Sequence, residues 1–424
     1  MNRRASTLLT IATTAAVTAA VTAFARNFIS GEKKIKRRVA QRYGISDPQF
    51  ERSMGQLLGP PILDGNLVTP LRNGAEIFPA ILTGIESARR TITFETFIYW
   101  SGSIAKKVAT ALMAAARRGV KVHVVMDGIG CNCVSSSVPK EMRDAGVELE
   151  IYHFSNFARV NHRTHRKLLV IDGAVGFTGG VGIADEWDGN AAGPDEWRDS
   201  HYRVEGPVVA QMQAAFLDNW MKTRAVVLHG EEYFPALKSA GPHRCQMFKS
   251  SPMEGSESAR LMYLLSITAA ERSLKVGNAY FVPDDLTTET IIDAVKRGVA
   301  VEVLVPGKKM DSAIVRGASR HRWGALLECG VRIFEFEPTM YHCKTMIIDG
   351  LWTSVGSANF DNRSFRINDE ANLNIMDQDF AVEETRAFDQ DLTRAREVTH
   401  AEWLARPAWQ RATDASAALF RSQL

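Results

Sequence analysis

The sequence lacks several features that would mark it as a member of a large class of protein. Its five cysteines are an odd number without zinc-ribbon spacing, which favours reduced thiols over a disulfide framework. Its 51 basic and 48 acidic residues give a net charge of only +3, which does not indicate a nucleic-acid-binding protein. The hydrophobic content of 45% and the charged content of 23% exclude a disordered chain and a multi-span membrane protein. The 424 residues are enough for two to three globular domains at roughly 150 residues each.

One uncharged segment stands at the start of the chain. Residues 5–25 carry no charge, and a helix of this length, at about 1.5 Å per residue, could cross a bilayer core of roughly 30 Å. Eight alanines and six threonines make the segment weakly apolar. We expect residues 1–30 to form a hydrophobic helix that is either a membrane anchor or a cleaved signal peptide. The basic residues between Arg26 and Arg42 favour a cytoplasmic location for the rest of the chain and suit contact with anionic lipid headgroups.

The rest of the chain contains an internal repeat. Residues 118–122 read Arg-Gly-Val-Lys-Val and recur as Arg-Gly-Val-Ala-Val over 297–301, and in each copy a helix ends at the glycine before a β-branched strand. Residues 165–167 recur in the same way as 342–344. Within each copy, strands alternate with long helices, which predicts an α/β fold. We expect two tandem homologous α/β sandwich halves related by a pseudo-two-fold axis, with a site at their junction.

The repeat also gives the expected domain boundaries. The first half should cover residues 66–240 and the second half residues 241–424, and a basic helical linker over 31–65 should precede them. From Asp389 onwards the chain becomes a charged, alanine-rich helical tail, which we expect to pack on the second half.

Both copies carry the pattern His-x-Lys-x4-Asp. Its members are His165, Lys167 and Asp172 in the first half and His342, Lys344 and Asp349 in the second. Because residues two apart share one face of a strand, each copy presents an imidazole and an ammonium together, while Arg166 or Cys343 between them points away. Two such faces would form a pocket of two histidines and two lysines, which suits a phosphate diester. The lysines disfavour a metal ion. All six motif residues are candidate catalytic residues, but each aspartate is expected to fix the turn after its strand rather than to touch substrate.

The doubled motif resembles the phospholipase D superfamily, and more narrowly the bacterial cardiolipin synthases of the phospholipase D type. The resemblance extends over residues 70–391 and includes Phe-Glu-Thr-Phe-Ile at 94–98 and Tyr-Phe-Val-Pro-Asp at 280–284. The run over 356–365, Gly-Ser-Ala-Asn-Phe-Asp-Asn-Arg-Ser-Phe, is the part most typical of synthases. The resemblance implies the phospholipase D fold and a reaction that needs no metal and no other cofactor.

The resemblance also implies the course of the reaction. A phosphatidyl group would move from phosphatidylglycerol to His165, glycerol would leave, and a lipid hydroxyl would resolve the phosphohistidine to cardiolipin. A neutral imidazole with a pKa near its usual value of about 6.5 is a competent nucleophile at phosphorus. His342 would act first as the acid and then as the base. Lys167 and Lys344 would neutralise the charge that develops on the non-bridging oxygens.

Further site residues are implied by the family pattern. A carboxylate behind each imidazole fixes its tautomer, and the matching positions are Glu370 after the second motif and Asp199 in the first half. Substrate-binding residues are expected at Ser357, Asn359 and Gly180. The first half has Gly182 where the second has Asn359, so one phosphate-contacting amide expected from the family is missing.

Other functions stay open. A phospholipase D hydrolase would release phosphatidic acid without lipid transfer, and a metal-independent nuclease or a lipid-binding protein with an inactive site are further alternatives. The resemblance implies a phospholipid substrate and a membrane surface as partners, and no nucleic acid. It implies a location at the bacterial inner membrane, with the catalytic part on the cytoplasmic face. Nothing in the sequence predicts the oligomeric state.

Overall fold

The computed structural model describes residues 3–25, 35, 37–40, 43–135, 137–152, 161–251 and 259–424. A first helix, α1 (Arg3–Ala25), covers the uncharged segment. No helix in these described ranges is both long and apolar enough to cross a membrane. Within the hydrophobic helix expected over residues 1–30, the described part is helical over Arg3–Ala25 and is rich in alanine and threonine.

The linker after α1 packs on the second half of the chain. Arg38 forms ion pairs with Glu289 and Asp293 of that half. Helix α2 (Pro48–Leu58) begins at proline after Asp47, and it buries its apolar face in the core of the second half. The other basic residues of the predicted cluster lie outside the described residues: Arg26, Lys33, Lys34, Lys36 and Arg42.

The first half alternates strands and helices as the sequence pattern predicts. Its elements are β1 (Leu63–Arg72), α3 (Asn73–Ser87), β2 (Thr91–Thr96), α4 (Ser103–Arg117), β3 (Lys121–Asp127), α5 (Ser137–Asp144), β4 (Glu148–Tyr152), β5 (Arg163–Thr164), β6 (Leu168–Ile171), β7 (Val175–Gly179), β8 (Ser200–Glu205) and α6 (Val209–Arg224). Helix α4 buries Val108 and Leu112 on one face, at the spacing of an amphipathic helix. Gly119 comes after α4 with a φ of +89°, which glycine adopts without strain.

The second half repeats this order and adds a helical tail. Its elements are β9 (His243–Ser250), α7 (Ala259–Thr268), β10 (Ser273–Asn278), α8 (Asp285–Lys296), β11 (Ala300–Pro306), α9 (Ala313–Cys329), β12 (Arg332–Phe336), β13 (Lys344–Ile348), β14 (Trp352–Gly356), α10 (Asn362–Arg366), β15 (Asn368–Met376), α11 (Gln378–Leu392), β16 (Ala395–Val398), α12 (His400–Leu404) and α13 (Ala408–Ala418). The tail packs on α9 as predicted, since Trp403 Nε1 donates to the Arg320 carbonyl oxygen (2.7 Å) and Asp414 binds the Arg320 guanidinium (2.7 Å). Trp409 stays exposed.

The sheets of the two halves join edge to edge. In the first half β2, β3 and β4 are parallel neighbours, and β6, β7 and β8 are antiparallel neighbours. The second half repeats this with β10, β11 and β12 and with β13, β14 and β15. At the junction β1 pairs antiparallel with β9, so the strand order is β16-β12-β11-β10-β13-β14-β15-β9-β1-β8-β7-β6-β2-β3-β4. The prediction of two homologous α/β halves is confirmed, and their sheets are continuous.

The five cysteines are all free thiols in the structure, as the sequence predicts. Cys131, Cys245 and Cys343 are buried and Cys133 is exposed. Packing of the two large apolar cores, rather than a cross-link, therefore stabilises the halves.

Candidate active site

At the junction, a backbone segment of each half binds the backbone of the other half. Strand β5, which leads into the first motif, pairs in parallel with the start of β15 in the second half. There the His165 backbone N–H donates to the Asp369 carbonyl oxygen (2.8 Å). The contact recurs with the halves interchanged, because the His342 backbone N–H donates to the Arg198 carbonyl oxygen (2.7 Å) beside β8. Each motif histidine is therefore held by the backbone of the other half.

This reciprocal contact brings a carboxylate of one half to the histidine of the other. His165 Nδ1 lies 2.9 Å from Glu370 Oε2, and His342 Nδ1 lies 2.7 Å from Asp199 Oδ2. All four side chains are buried. A carboxylate at Nδ1 holds the proton on that nitrogen, which leaves the lone pair on Nε2. Both carboxylates named from the family pattern lie beside an imidazole, and each pair crosses between the halves.

The two lysines of the motifs lie within the same cluster. Lys167 Nζ donates to the His165 carbonyl oxygen (2.7 Å) and lies 5.3 Å from the ring centroid of Phe97. Lys344 Nζ lies 2.9 Å and 3.0 Å from the two ring nitrogens of His342. The charges of both lysines contribute to lowering the pKa of each imidazole. The structure thus brings the two histidines and two lysines of the repeated motif into one buried group.

Burial determines the protonation of this group. It lowers the pKa of His165 to about 4, and burial together with the Lys344 ammonium lowers the pKa of His342 to about 3. Burial also lowers the pKa of Lys167 to about 7. For Glu370 burial opposes ionisation, but the contact with His165 outweighs it and holds the pKa of this carboxyl below its usual value. At neutral pH both imidazoles are therefore neutral and lie beside an ionised carboxylate.

Different side chains support the two carboxylates. Glu370 accepts hydrogen bonds from Ser357 Oγ (2.5 Å) and Ser364 Oγ (2.7 Å). Asp199 accepts one from Trp187 Nε1 (2.9 Å). Ser364 and Trp187 occupy equivalent positions in the two repeats, so an indole replaces a hydroxyl in the first half. Ser357, named from the sequence as a substrate-binding residue, lies against the carboxylate and positions it.

The glycines of the first half make room for this arrangement. A Cβ at Gly180 would lie 2.3 Å from the carboxylate that Trp187 supports, so a larger residue would displace it. A Cβ at Gly182 would lie 2.7 Å from Ile98 Cβ and 3.2 Å from the Trp187 ring. Apolar side chains therefore fill the space next to Gly182. In the second half the equivalent Asn359 is buried, and its Oδ1 has no hydrogen-bond partner among the described residues.

The motif aspartates bind the backbone of a turn. Asp172 accepts from the backbone N–H groups of residues 89–91 at 2.7–3.2 Å, and Asp349 accepts from those of residues 271–273 at 2.7–2.9 Å. Both have a positive φ, of 51° and 54° respectively. They come directly after β6 and β13, at the ends opposite the histidines. The structure thus gives these two residues the turn-fixing role that their position in the sequence predicts, and their distance from the histidines removes them from the candidate catalytic residues.

The residues between histidine and lysine point away from the cluster, as the strand period predicts. Arg166 is fully buried, and its guanidinium binds Asp218 (2.9 Å) and the Ser250 carbonyl oxygen (3.2 Å). Cys343 packs against Ser200 Oγ (3.7 Å). The predicted alternation of side chains therefore holds in both motifs.

Aromatic rings line the cluster, and the sequence alone does not single them out. Phe97 lies edge-on to His165, with ring centroids 4.9 Å apart. Trp187 and Tyr280 lie edge-on to His342, at 5.2 Å and 6.3 Å. Phe97 and Tyr280 fall in runs that carry the family resemblance. Alignment of the two repeats pairs Trp187 with Ser364 and so could have drawn attention to it. These rings exclude water from the imidazoles, which contributes to their low pKa values.

Both halves of the chain match one known protein family. Residues 81–191 and 263–392 match the protein family described as cardiolipin synthase, PLD-like domain. The chain is 34% identical over 374 residues to cardiolipin synthase A of Pseudomonas putida strain W619, covering 87% of this chain and 76% of that protein. It is 34% identical over 354 residues to cardiolipin synthase A of Pseudomonas syringae pv. syringae strain B728a, covering 82% of this chain and 73% of that protein.

A solved structure has the same fold. Phosphatidylserine synthase of Haemophilus influenzae Rd KW20 superposes with a TM-score of 0.69 at 14% identity, covering 89% of this chain and all of that one. At this identity the likeness concerns the fold alone. The match of both halves to a PLD-like domain family shows that the protein is of the phospholipase D class. Within that class, the chain belongs to the cardiolipin synthase family of PLD-like domains.

Replacing a motif aspartate should weaken the fold rather than the chemistry. Asp349→Ala leaves three backbone N–H groups without their acceptor, and we expect it to lower the free energy of unfolding by about 2–4 kcal/mol. Urea unfolding measures this loss. The exposed Asp144→Ala serves as a control and should change stability by less than about 0.5 kcal/mol. Normal stability together with lost turnover in Asp349→Ala would contradict the turn-fixing role.

Proposed function

We propose that this chain is a cardiolipin synthase, which transfers a phosphatidyl group between two phosphatidylglycerol molecules through a phosphohistidine and releases glycerol. The observation that carries the proposal is the pair of buried, crossed histidine–carboxylate contacts flanked by two lysines, in a chain of the cardiolipin synthase family. The relatives named cardiolipin synthase A support the choice of lipid.

The first half-reaction joins phosphorus to one imidazole. His165 is neutral, and Glu370 holds its Nδ1 proton, so Nε2 can attack the phosphorus of phosphatidylglycerol. The bond from Nε2 to phosphorus forms as the bond from phosphorus to the glycerol oxygen breaks. Lys167, Lys344 and Asn359 stabilise the negative charge that develops on the non-bridging oxygens.

His342 supplies the proton that the departing glycerol needs. The pKa of its imidazole is low without substrate, but the phosphodiester brings a negative charge, and an anion within about 4–6 Å favours the protonated form. Asp199 stabilises this imidazolium through Nδ1. Transfer of the Nε2 proton to the glycerol oxygen leaves His342 neutral and ready to accept a proton.

The second half-reaction uses the same groups in the opposite order. A glycerol hydroxyl of a second phosphatidylglycerol gives its proton to His342 Nε2 and attacks the phosphorus. The bond between phosphorus and His165 Nε2 breaks, and cardiolipin leaves. Both histidines return to their starting protonation, so the cycle consumes no proton and needs no further reactant.

The products distinguish this proposal from its alternatives. Water in place of the second lipid would give phosphatidic acid, the product of a hydrolase. A nuclease is less well supported, because the net charge is only +3 and the cited relatives are lipid synthases. The presence of both histidines, both lysines and both carboxylates in one cluster supports a catalyst over an inactive lipid-binding protein.

The proposed substrate also implies a location. Phosphatidylglycerol is part of a bilayer, so we propose that the protein works at the bacterial inner membrane with its catalytic part on the cytoplasmic face. Ile11, Val17 and Val21 of α1 are exposed and can contact lipid chains.

Product analysis tests the proposal. Protein added to phosphatidylglycerol vesicles at neutral pH in the presence of a chelator should give cardiolipin and glycerol in equal amounts, measured by mass spectrometry of the lipids and an assay for glycerol. His165→Asn and His342→Asn should each lower the rate by at least about a thousandfold. Phosphatidic acid as the sole lipid product, or normal turnover in either variant, would contradict the proposal.

Trapping the intermediate tests which histidine is the nucleophile. A phosphatidyl ester of p-nitrophenol has a leaving group that needs no proton, so His342→Asn should still form the covalent adduct and release it slowly. Under the same conditions His165→Asn should form none. Mass spectrometry of the digested protein locates the adduct. An adduct on the peptide that contains His342 in the wild-type protein would reverse the assignment.

The pH dependence of kcat/KM should reflect the shifted pKa values of the free enzyme. The pKa of His165 is lowered to about 4, so this nucleophile is active above that pH. The pKa of Lys167 is lowered to about 7, so the ammonium is lost as the pH rises through that value. The titration of both histidines is common to wild type and Lys167→Arg, whereas only wild type loses the charge at position 167 near pH 7. On a soluble short-chain substrate the ratio of the wild-type kcat/KM to that of Lys167→Arg should therefore decline above pH 7. A ratio that stays constant through pH 7 would rule out an effect of the Lys167 charge.

A further inference from the structure

Two equivalent loops beside the two catalytic histidines each carry or adjoin an exposed apolar residue. Ile129 lies on the loop after β3 and is 48% exposed. Ile314 lies at the start of α9, directly after the loop that follows β11, and is 54% exposed. The first loop is joined to the site, because Cys131 Sγ donates to the Phe97 carbonyl oxygen (3.3 Å) and the Phe97 ring lies 4.9 Å from His165. Ile129 therefore lies near one side of the site.

The second loop is joined to the site in a similar way. Tyr280 donates its hydroxyl proton to Asp311 (2.5 Å) on this loop, and its ring lies 6.3 Å from His342. Met310 of the same loop packs in one apolar cluster with Tyr280. Because each loop contacts an aromatic residue beside a different histidine, the two loops lie on opposite sides of the pseudo-two-fold site.

The end of α13 adds two exposed apolar side chains near Ile314. A Cβ at Gly317 would lie 3.1 Å from Ala417 Cβ, so the end of α13 runs along the first turns of α9. Leu419 and Phe420 come directly after α13 and are 81% and 60% exposed. Exposed apolar side chains are ordinary when they occur singly, but a group of them around a site marks an interaction surface.

Positive charge accompanies these apolar residues. Lys308 and Lys309 are exposed on the same loop as Met310. A surface that combines exposed aliphatic and aromatic side chains with lysines has the composition that binds the interface of an anionic bilayer. We define the docking face as Ile129, Lys308, Lys309, Ile314, Leu419 and Phe420.

We propose that the docking face inserts into the surface of an anionic lipid bilayer and so presents the mouth of the site to the lipid headgroups. This inference rests on the proposed function, because the substrate named there is itself an anionic lipid. Contact on both sides of the site would let a phosphodiester reach the histidines while its acyl chains stay in the bilayer. The positive charge of the lysines is complementary to the negative charge of phosphatidylglycerol.

Rates on two forms of the substrate distinguish docking on the bilayer from the chemical step. The double variant Ile314→Asp/Phe420→Asp is compared with Val227→Asp, which makes the same change at a residue that is 59% exposed. Val227 lies on the connector after α6, whose Glu232 binds Lys121 at the start of β3, at the sheet edge opposite the site. Initial rates are measured in the full-length protein on phosphatidylglycerol vesicles and on dissolved short-chain phosphatidylglycerol. Helix α1 is common to all variants.

We expect the double variant to lose at least about tenfold on vesicles, while its rate on the dissolved lipid stays within about twofold of wild type. Val227→Asp should match wild type on both substrates. Lys308→Ala/Lys309→Ala should weaken binding to phosphatidylglycerol vesicles by about fivefold per lysine and leave binding to neutral vesicles unchanged. Equal rates on vesicles for the double variant and wild type, or equal losses on both substrates, would overturn the docking face.

A binding measurement keeps this inference separate from the proposed function. In Phe420→Trp the added indole fluorescence should be quenched by brominated phosphatidylglycerol, whereas in Val227→Trp it should not. This readout requires no turnover. If wild type makes no cardiolipin while position 420 is quenched, the proposed function fails and the docking face stands. If cardiolipin forms but position 420 is not quenched, the docking face is wrong and the function stands.

Discussion

Two hydrogen bonds between an imidazole and a carboxylate, each crossing from one half of the chain to the other, organise the whole site. His165 meets Glu370 at 2.9 Å and His342 meets Asp199 at 2.7 Å. Neither half contains a complete pair, so a separate half would have a histidine without its carboxylate. The duplication therefore does more than double a motif, because only the paired halves define the tautomer of each ring. The antiparallel pairing of β1 with β9 and the pairing of β5 with β15 keep the halves in this register.

The buried lysines and histidines of the cluster favour the binding of an anion. Lys167 and Lys344 are each only 3% exposed, and burial of an ammonium costs several kcal/mol unless a partner compensates it. Their pKa values are lowered for this reason, as are those of both histidines. A phosphodiester would offset that cost and would raise the same pKa values. A bound phosphate thus stabilises the charged forms of both lysines and both histidines.

Much of the architecture could be predicted because it depends on short-range periodicity. The strand period of two places His165 and Lys167 together and turns Arg166 away, and the repeat predicts that this holds twice. The turn-fixing role of Asp172 and Asp349 is predictable from their position after a strand. The crossing of the carboxylates could not be predicted, because Glu370 lies 205 residues from His165 and periodicity carries no information over that distance.

Other features depend on comparing the halves side chain by side chain. The sequence indicates only a missing amide at Gly182, whereas the structure shows that Ile98 and Trp187 fill the adjacent space. The helix over residues 3–25 is predicted from its lack of charge, which does not measure hydropathy. The most direct test of the central claim is the linkage isomer of the trapped phosphohistidine, read by phosphorus NMR of the protein. The account predicts attachment at Nε2 of His165, because the opposite half's carboxylate occupies Nδ1; attachment at Nδ1 would contradict it.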